Sequence, residues 1–328
     1  MSVYYLKRTA LLLGLFIGFC AAAAAMKPES HNCPEPATEV TCVQQQEKPY
    51  MIKEFTIGGS GLLKVLTPAG DIEVISVPNS DKVRVELYVN RGYAFWTNTG
   101  NLDNYRITML QRGNEVVASV EQKNKRGLFG GSISFSYKIY TPASISTELK
   151  TSAGNIRLSG VGGNQLAKSS GGNIRITNAS GKVGAYTFGG NIHISSSTGV
   201  IFAQTEGGNI TIEESSGEFR LRTNGGQIMS ERMSGSMLAK VGGGDIRAHF
   251  LYVAEGVNLE TSAGNIFLKV PSEAGYDLVL KGSDIELPDS FYFEGLNRPN
   301  RVEGTYRQGG SPINMQTSYG TVTFETYR

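Results

Sequence analysis

Apolar and polar residues alternate along most of this chain, and between residues 147 and 268 the alternation is itself periodic. A unit of small residue, Gly, amide or acid, then Ile recurs through Ile156, Ile174, Ile192, Ile210, Ile228 and Ile246 at steps of 18, and once more at Ile266 after 20. After each unit the apolar period is two, as in Ile174/Ile176 and Ile192/Ile194, which is the period of a strand with one buried face. A second run opens after Ser180-Gly181, Thr198-Gly199, Ser216-Gly217 and Ser234-Gly235 and supplies residues such as Val183, Ala185 and Thr187. Each repeat is therefore two short strands joined by two Gly-containing turns.

One such strand pair cannot bury its apolar face alone, whereas stacked copies bury a continuous core and pair each strand above and below. The expected fold is all-β: a parallel two-sheet β-solenoid of 18-residue coils, right-handed by the usual crossover rule. The recurring Asn fits either a ladder along one corner or a plain turn residue. Facing core pairs should be Ala185 with Ile194, Ala203 with Ile212 and, with sizes exchanged, Leu221 with Ser230. Ala239 and Ala248 are both small, which predicts a thin spot filled by Met237 or Phe250. Gln165 stands where Val183 and Ile201 stand one and two repeats later, which predicts a local bulge with Val161 or Leu166 filling in.

The template also fits Leu63–Val74, Tyr276–Leu287 and Ile313–Phe324, giving about ten coils and a solenoid domain over 51–328. Within it, 147–268 is the regular array and 269–328 holds C-terminal coils and a cap. Segment 77–142 departs from the template but alternates, through Val83–Val89, Tyr105–Met109, Val116–Ala118 and Ile133–Ile139, and predicts an antiparallel hairpin excursion near the N-terminus. An Asn-, Arg- and Gly-rich loop is expected from Pro288 to Gly310.

Upstream, residues 1–25 carry Lys7 and Arg8, an apolar run from Ala10 to Phe19 and small residues from Ala21 to Ala25, the pattern of a signal peptide. Cleavage near Ala25 is the expected outcome, against lipidation at Cys20 or a retained anchor. Residues 26–50 read as a Pro-containing tail that holds Cys33 and Cys42, a candidate disulfide or two free thiols. Export to the periplasm, outer-membrane surface or extracellular space follows, with no membrane span left after cleavage.

The net charge of +2 gives no argument for nucleic acid. A calcium ladder would need Asp after successive glycines, and the chain has mostly amides there, so neither metal nor cofactor is expected. Glycan lyases and hydrolases need carboxylates gathered on one face, and the nearest group here is Glu213, Glu214 and Glu218. The outward ladder Arg157, Arg175, His193 is a candidate contact surface, as are Tyr93, Phe95 and Trp96 in the loop 91–103 and the loops 122–132 and 288–310; Tyr186 and Phe202 also point outward.

The units Leu63–Val74 (Leu-Lys-Val-Leu-Thr-Pro-Ala-Gly-Asp-Ile-Glu-Val), Thr151–Ile156 (Thr-Ser-Ala-Gly-Asn-Ile) and Thr317–Val322 resemble a bacterial family labelled "putative adhesin", also filed as a domain of unknown function. The likeness covers roughly residues 55–326. It implies the solenoid architecture and a surface role, and it brings no catalytic residues; the cysteine-bearing tail departs from it. The leading expectation is a non-enzymatic, exported, adhesin-like envelope protein that binds a surface glycan or protein. The alternatives are an envelope scaffold without glycan binding and a β-helical polysaccharide lyase or hydrolase.

Overall fold

The computed structural model describes residues 48–91, 101–123, 133–288 and 291–328. Two parallel sheets face each other across one core. The first collects the strand before each Gly-Asn corner and the second the strand after it. Equivalent residues pair one coil apart: Ala185 with Ala203, and Ile192 with Ile210. All six members of the expected facing pairs, Leu221 and Ser230 included, are buried. No helix among the described residues is long and apolar enough to cross a membrane.

The Gly-Asn corner is held by three bonds per coil. The Asn side chain is a ladder element, but it bonds backbone rather than the next amide side chain. Asn173, Asn191 and Asn209 donate their backbone N–H to the Oδ1 of Asn155, Asn173 and Asn191 at 2.8–3.0 Å. A buried Thr or Ser three residues before the Gly serves both polar groups of the corner. Thr205 Oγ1 donates to the Gly190 carbonyl at 2.9 Å and accepts from Gly208 N–H at 3.2 Å. The Gly itself is fixed by stacking: a Cβ on Gly172 would lie 1.8 Å from the Gly154 carbonyl oxygen of the coil below.

The coil order in space differs from the order in the chain. Leu62–Thr67 lies between Glu115–Gln122 and Ser146–Thr151, and Ile72–Ser76 lies between Ile133–Thr141 and Ile156–Ser159. At the other end Ser311–Tyr319 inserts between Ile246–Ala263 and Tyr276–Lys281, and Thr321–Tyr327 between Ile266–Pro271 and Asp284–Glu286. So the first and last template coils each sit one place in from an end. The segment 77–142 supplies more than antiparallel strands: Glu115–Gln122 and Ile133–Thr141 add a parallel coil that the template does not count.

Antiparallel strands close the edges, which would otherwise offer unpaired backbone to another chain. Tyr105–Arg112 covers Glu115–Gln122, and Lys82–Arg91 covers Ile133–Thr141 with Met51–Thr56 outside it. At the far end the expected loop 288–310 is instead largely a hairpin, Phe293–Arg298 with Arg301–Tyr306, paired to Tyr276–Lys281. Its polar composition hid an apolar underside: Phe291, Phe293 and Tyr306 pack against the core, with the Phe291 and Tyr306 rings stacked at 4.5 Å.

Two local expectations are corrected or refined. No bulge occurs at Gln165, which keeps register with Thr147 and Val183. Its buried amide is satisfied instead: Oε1 accepts from Thr147 Oγ1 at 2.7 Å, and Nε2 donates to the carbonyls of Ile145 and Gly162. Beside the Ser230–Ala248 pair, register shifts bring Met233 level with Phe250, and both are fully buried along with Met237.

Candidate ligand-binding groove

The outward face of the first sheet carries an open groove of about 880 Å³ that crosses adjacent coils. In spatial order, it is met by Asn114 and Glu115, then Leu62, Glu148, Leu166, Gly184 and Phe202. All but Asn114, which stands in the turn before Glu115, are presented by strands whose alternate residues are in the core, so the floor is set mainly by sheet geometry. A shallower depression of about 240 Å³ continues it on the far side of Tyr186 and Phe202, toward Arg222 and Lys240.

Gly184 makes the floor. The equivalent residues one coil to either side are Leu166 and Phe202. With no side chain at 184, the Tyr186 ring lies over the gap: a Cβ built there would stand 3.0 Å from Tyr186 Cε2 and 3.4 Å from Leu166 Cδ1. Cations flank the rings. Lys168 Nζ lies 5.5 Å from the Tyr186 centroid, while Lys182 and Arg220 lie 5.6 and 5.3 Å from that of Phe202. Such contacts help to hold the rings in place.

The carboxylates of the groove are already engaged. Glu115 pairs with Lys64 at 2.9 Å and Glu148 with Lys150 at 2.5 Å. The hydrogen bond from Lys150 holds the Glu148 carboxyl below its ordinary pKa, and the bond to Glu115 raises that of Lys64. Arg220 is tied to Glu218 at 2.6 Å. Among the described residues, Arg112, Lys168 and Lys182 have no carboxylate within ion-pair distance, so the uncompensated charge here is positive.

The residues favoured from sequence lie elsewhere. Arg157, Arg175 and His193 do form one ladder, but on the outward face of the second sheet. Arg157 is bound to Asp71 at 3.2 Å, and His193 stands 3.9 Å from Glu213. Tyr93, Phe95, Trp96, Cys33 and Cys42 lie outside the described residues. The second sheet also has a depression of about 470 Å³, where His249 Nδ1 stands 3.3 Å from Glu231 Oε2. No group of three or more His, Cys, Asp or Glu side chains placed to hold a metal ion occurs among the described residues. Sequence reasoning picked out Tyr186 and Phe202 as outward aromatics but missed Gly184. Its signal was the lapse from a large residue at one outward position of an otherwise regular ladder.

A family model described as Toastrack DUF4097 matches residues 140–325. Among solved structures, a Bacteroides fragilis protein described as a putative adhesin is 14% identical, with 84% of this chain and 96% of that one covered, at a TM-score of 0.42. A Clostridium sporogenes protein described as a putative cell adhesion protein is 10% identical, with 85% and 100% covered, at a TM-score of 0.22. No curated protein matches the sequence.

Proposed function

The chain belongs to the Toastrack DUF4097 family, and from that premise we propose that it is a non-enzymatic, adhesin-like protein of the cell envelope. It is exported and holds a surface glycan or protein against the outward face of its first sheet. The observation that carries this reading is the groove that Gly184 lines, with the Tyr186 and Phe202 rings and the unpaired cations Lys168 and Lys182 beside it. A general acid or base works best with a pKa near the working pH. Glu148 is displaced the other way by Lys150, and Glu115 is tied to Lys64, so the groove is suited to holding a partner rather than turning it over.

The test is retention of envelope material by the immobilised protein and by a Tyr186→Ala/Phe202→Ala double variant. Both rings are on the outer face, so the variant keeps the core. Wild-type protein should retain a defined component and the variant should lose it. Equal retention by both would remove the groove from the function. Release of new reducing sugar ends from a retained glycan would make the protein an enzyme and overturn the reading.

A further inference from the structure

We propose that the occupant of the groove is a linear polysaccharide bearing carboxylates, a polyuronate, lying across the strands with about one sugar to each coil. This rests on the reading of the groove as the partner site.

Three observations favour it. The first is the way the site repeats. Successive lining residues come from adjacent parallel strands, which stand about 4.8 Å apart, close to the length of one pyranose in an extended chain. A linear polymer laid across the strands meets an equivalent position at every sugar. An extended peptide advances by only about 3.3 Å per residue and falls out of step.

Backbone pairing is the second. The strands under the groove are bonded on both sides, as Asn164–Ser169 is to Ser146–Thr151 and to Ser180–Thr187. No free edge is available for a peptide to add as a further strand, so recognition must run through side chains.

The third is the chemistry of the lining. Tyr186 and Phe202 offer apolar ring carbons to a sugar, with Lys168 over the first ring and Lys182 and Arg220 over the second. Lys182, exposed beside Phe202, offers a donor to a carboxylate on the same or the next sugar, Arg112 also lines the groove, and Lys168 stands at the Tyr186 ring. With Glu115 and Glu148 already bound to lysines, an incoming carboxylate meets net positive charge.

The test measures binding of a hexamer of galacturonic acid to the full protein by calorimetry, with neutral dextran and dextran sulfate as comparison ligands. Two variants probe the groove. Gly184→Val pushes the Tyr186 ring from its place over the floor without altering charge and suits a strand, since Gly184 does not have a left-handed backbone. Lys182→Gln removes one exposed cation, and carries the test if Gly184→Val fails to fold. Arg175→Gln, on the opposite face, is the control. The expected result is saturable hexauronate binding that weakens at least about tenfold, or about 1.4 kcal/mol, in each groove variant and is unchanged in the control. Absence of saturable binding overturns the proposal, as does equal binding of neutral dextran. Tighter binding of dextran sulfate that ignores Gly184→Val also overturns it, because that is charge attraction alone. If envelope material is still retained through the groove while the hexauronate is not bound, the ligand class falls and the adhesin-like reading stands. If neither is bound, both fall.

Discussion

Between Ile156 and Thr223 each coil repeats the bonds of the one below; between Ile228 and Thr261 the same template is stretched and its bonds change. In the regular stretch Ser169, Thr187, Thr205 and Thr223 each donate to a glycine carbonyl of the preceding coil. One coil further, Val241 stands in that place and has no hydroxyl to offer. At the other corner Ser197 and Ser215 accept backbone N–H bonds from Ala179 and Ser197, and the next position is Met233, buried in the core. Register shifts flank it: Met233 is level with Phe250, Ser234 and Gly235 return to the 18-residue step, and Met237 is level with Val257, two residues beyond that step. The extra residues sit where the last coil of the chain docks: Ser311 Oγ donates to the carbonyls of Val253 and Ala254.

The largest effect is expected at the corner that both regions keep, where the second glycine faces the coil below and the first does not. A Cβ on Gly208 would stand 1.9 Å from the Gly190 carbonyl oxygen, whereas one on Gly243 meets nothing within 4 Å. Gly208→Val should cost about 3–5 kcal/mol or prevent folding, and Gly243→Ala should be within about 0.5 kcal/mol of wild type. Urea unfolding of the two variants separates them, and a similar loss in both would mean that stacking does not select the glycine.

Next in size is the hydroxyl ladder. Thr205→Val leaves the Gly190 carbonyl and the Gly208 amide without their partner inside the protein, and should cost about 1–3 kcal/mol. The reverse change, Val241→Thr, should gain about 1 kcal/mol by restoring the ladder where it lapses. A neutral Thr205→Val by urea denaturation would show that water serves these groups as well as the hydroxyl does.

Smaller still is backbone strain. Asn178, Ser196, Glu214 and Arg232, spaced at one coil each, all have left-handed backbones with φ of 50–56°. The preceding equivalent is Gly160. Asn tolerates this conformation and Ser does not, so Ser196→Gly should stabilise by about 0.5–1 kcal/mol. A fall in melting temperature would place the demand on the side chain instead.

The smallest effect is electrostatic. Glu148 has its pKa lowered in the folded protein, first by the hydrogen bond from Lys150. Its contribution is therefore present above the ordinary carboxylate pKa of about 4.3 and is lost as pH falls through the lower folded value. Both side chains are partly exposed, so solvent and salt screen most of it. Glu148→Gln should slightly flatten the acid side of a stability–pH curve and leave neutral-pH stability nearly unchanged; a steeper acid limb in the variant would contradict the sign.

Much of this protein was determined by its sequence alone. The 18-residue step, the period of two within it and the buried set from Ile174 to Ile228 are local, repeated signals, and a repeat leaves few alternatives to stacking in register. Gln165 departs from expectation because polarity alone points to displacement, while the partners that satisfy it, Thr147 and the Ile145 and Gly162 carbonyls, come from the preceding coil and the adjoining turn. The tertiary structure decided which coils are neighbours. Leu62–Thr67 and Ser311–Tyr319 are drawn one place inward because strands from 77–142 and the hairpin Phe293–Arg298/Arg301–Tyr306 cover the open edges, and edge pairing is a contact between distant segments that no local period records. It also decided the groove. Leu62, Glu148, Leu166, Gly184 and Phe202 are scattered over some 140 positions of the chain, and they form one surface only because backbone pairing between coils lays their strands side by side.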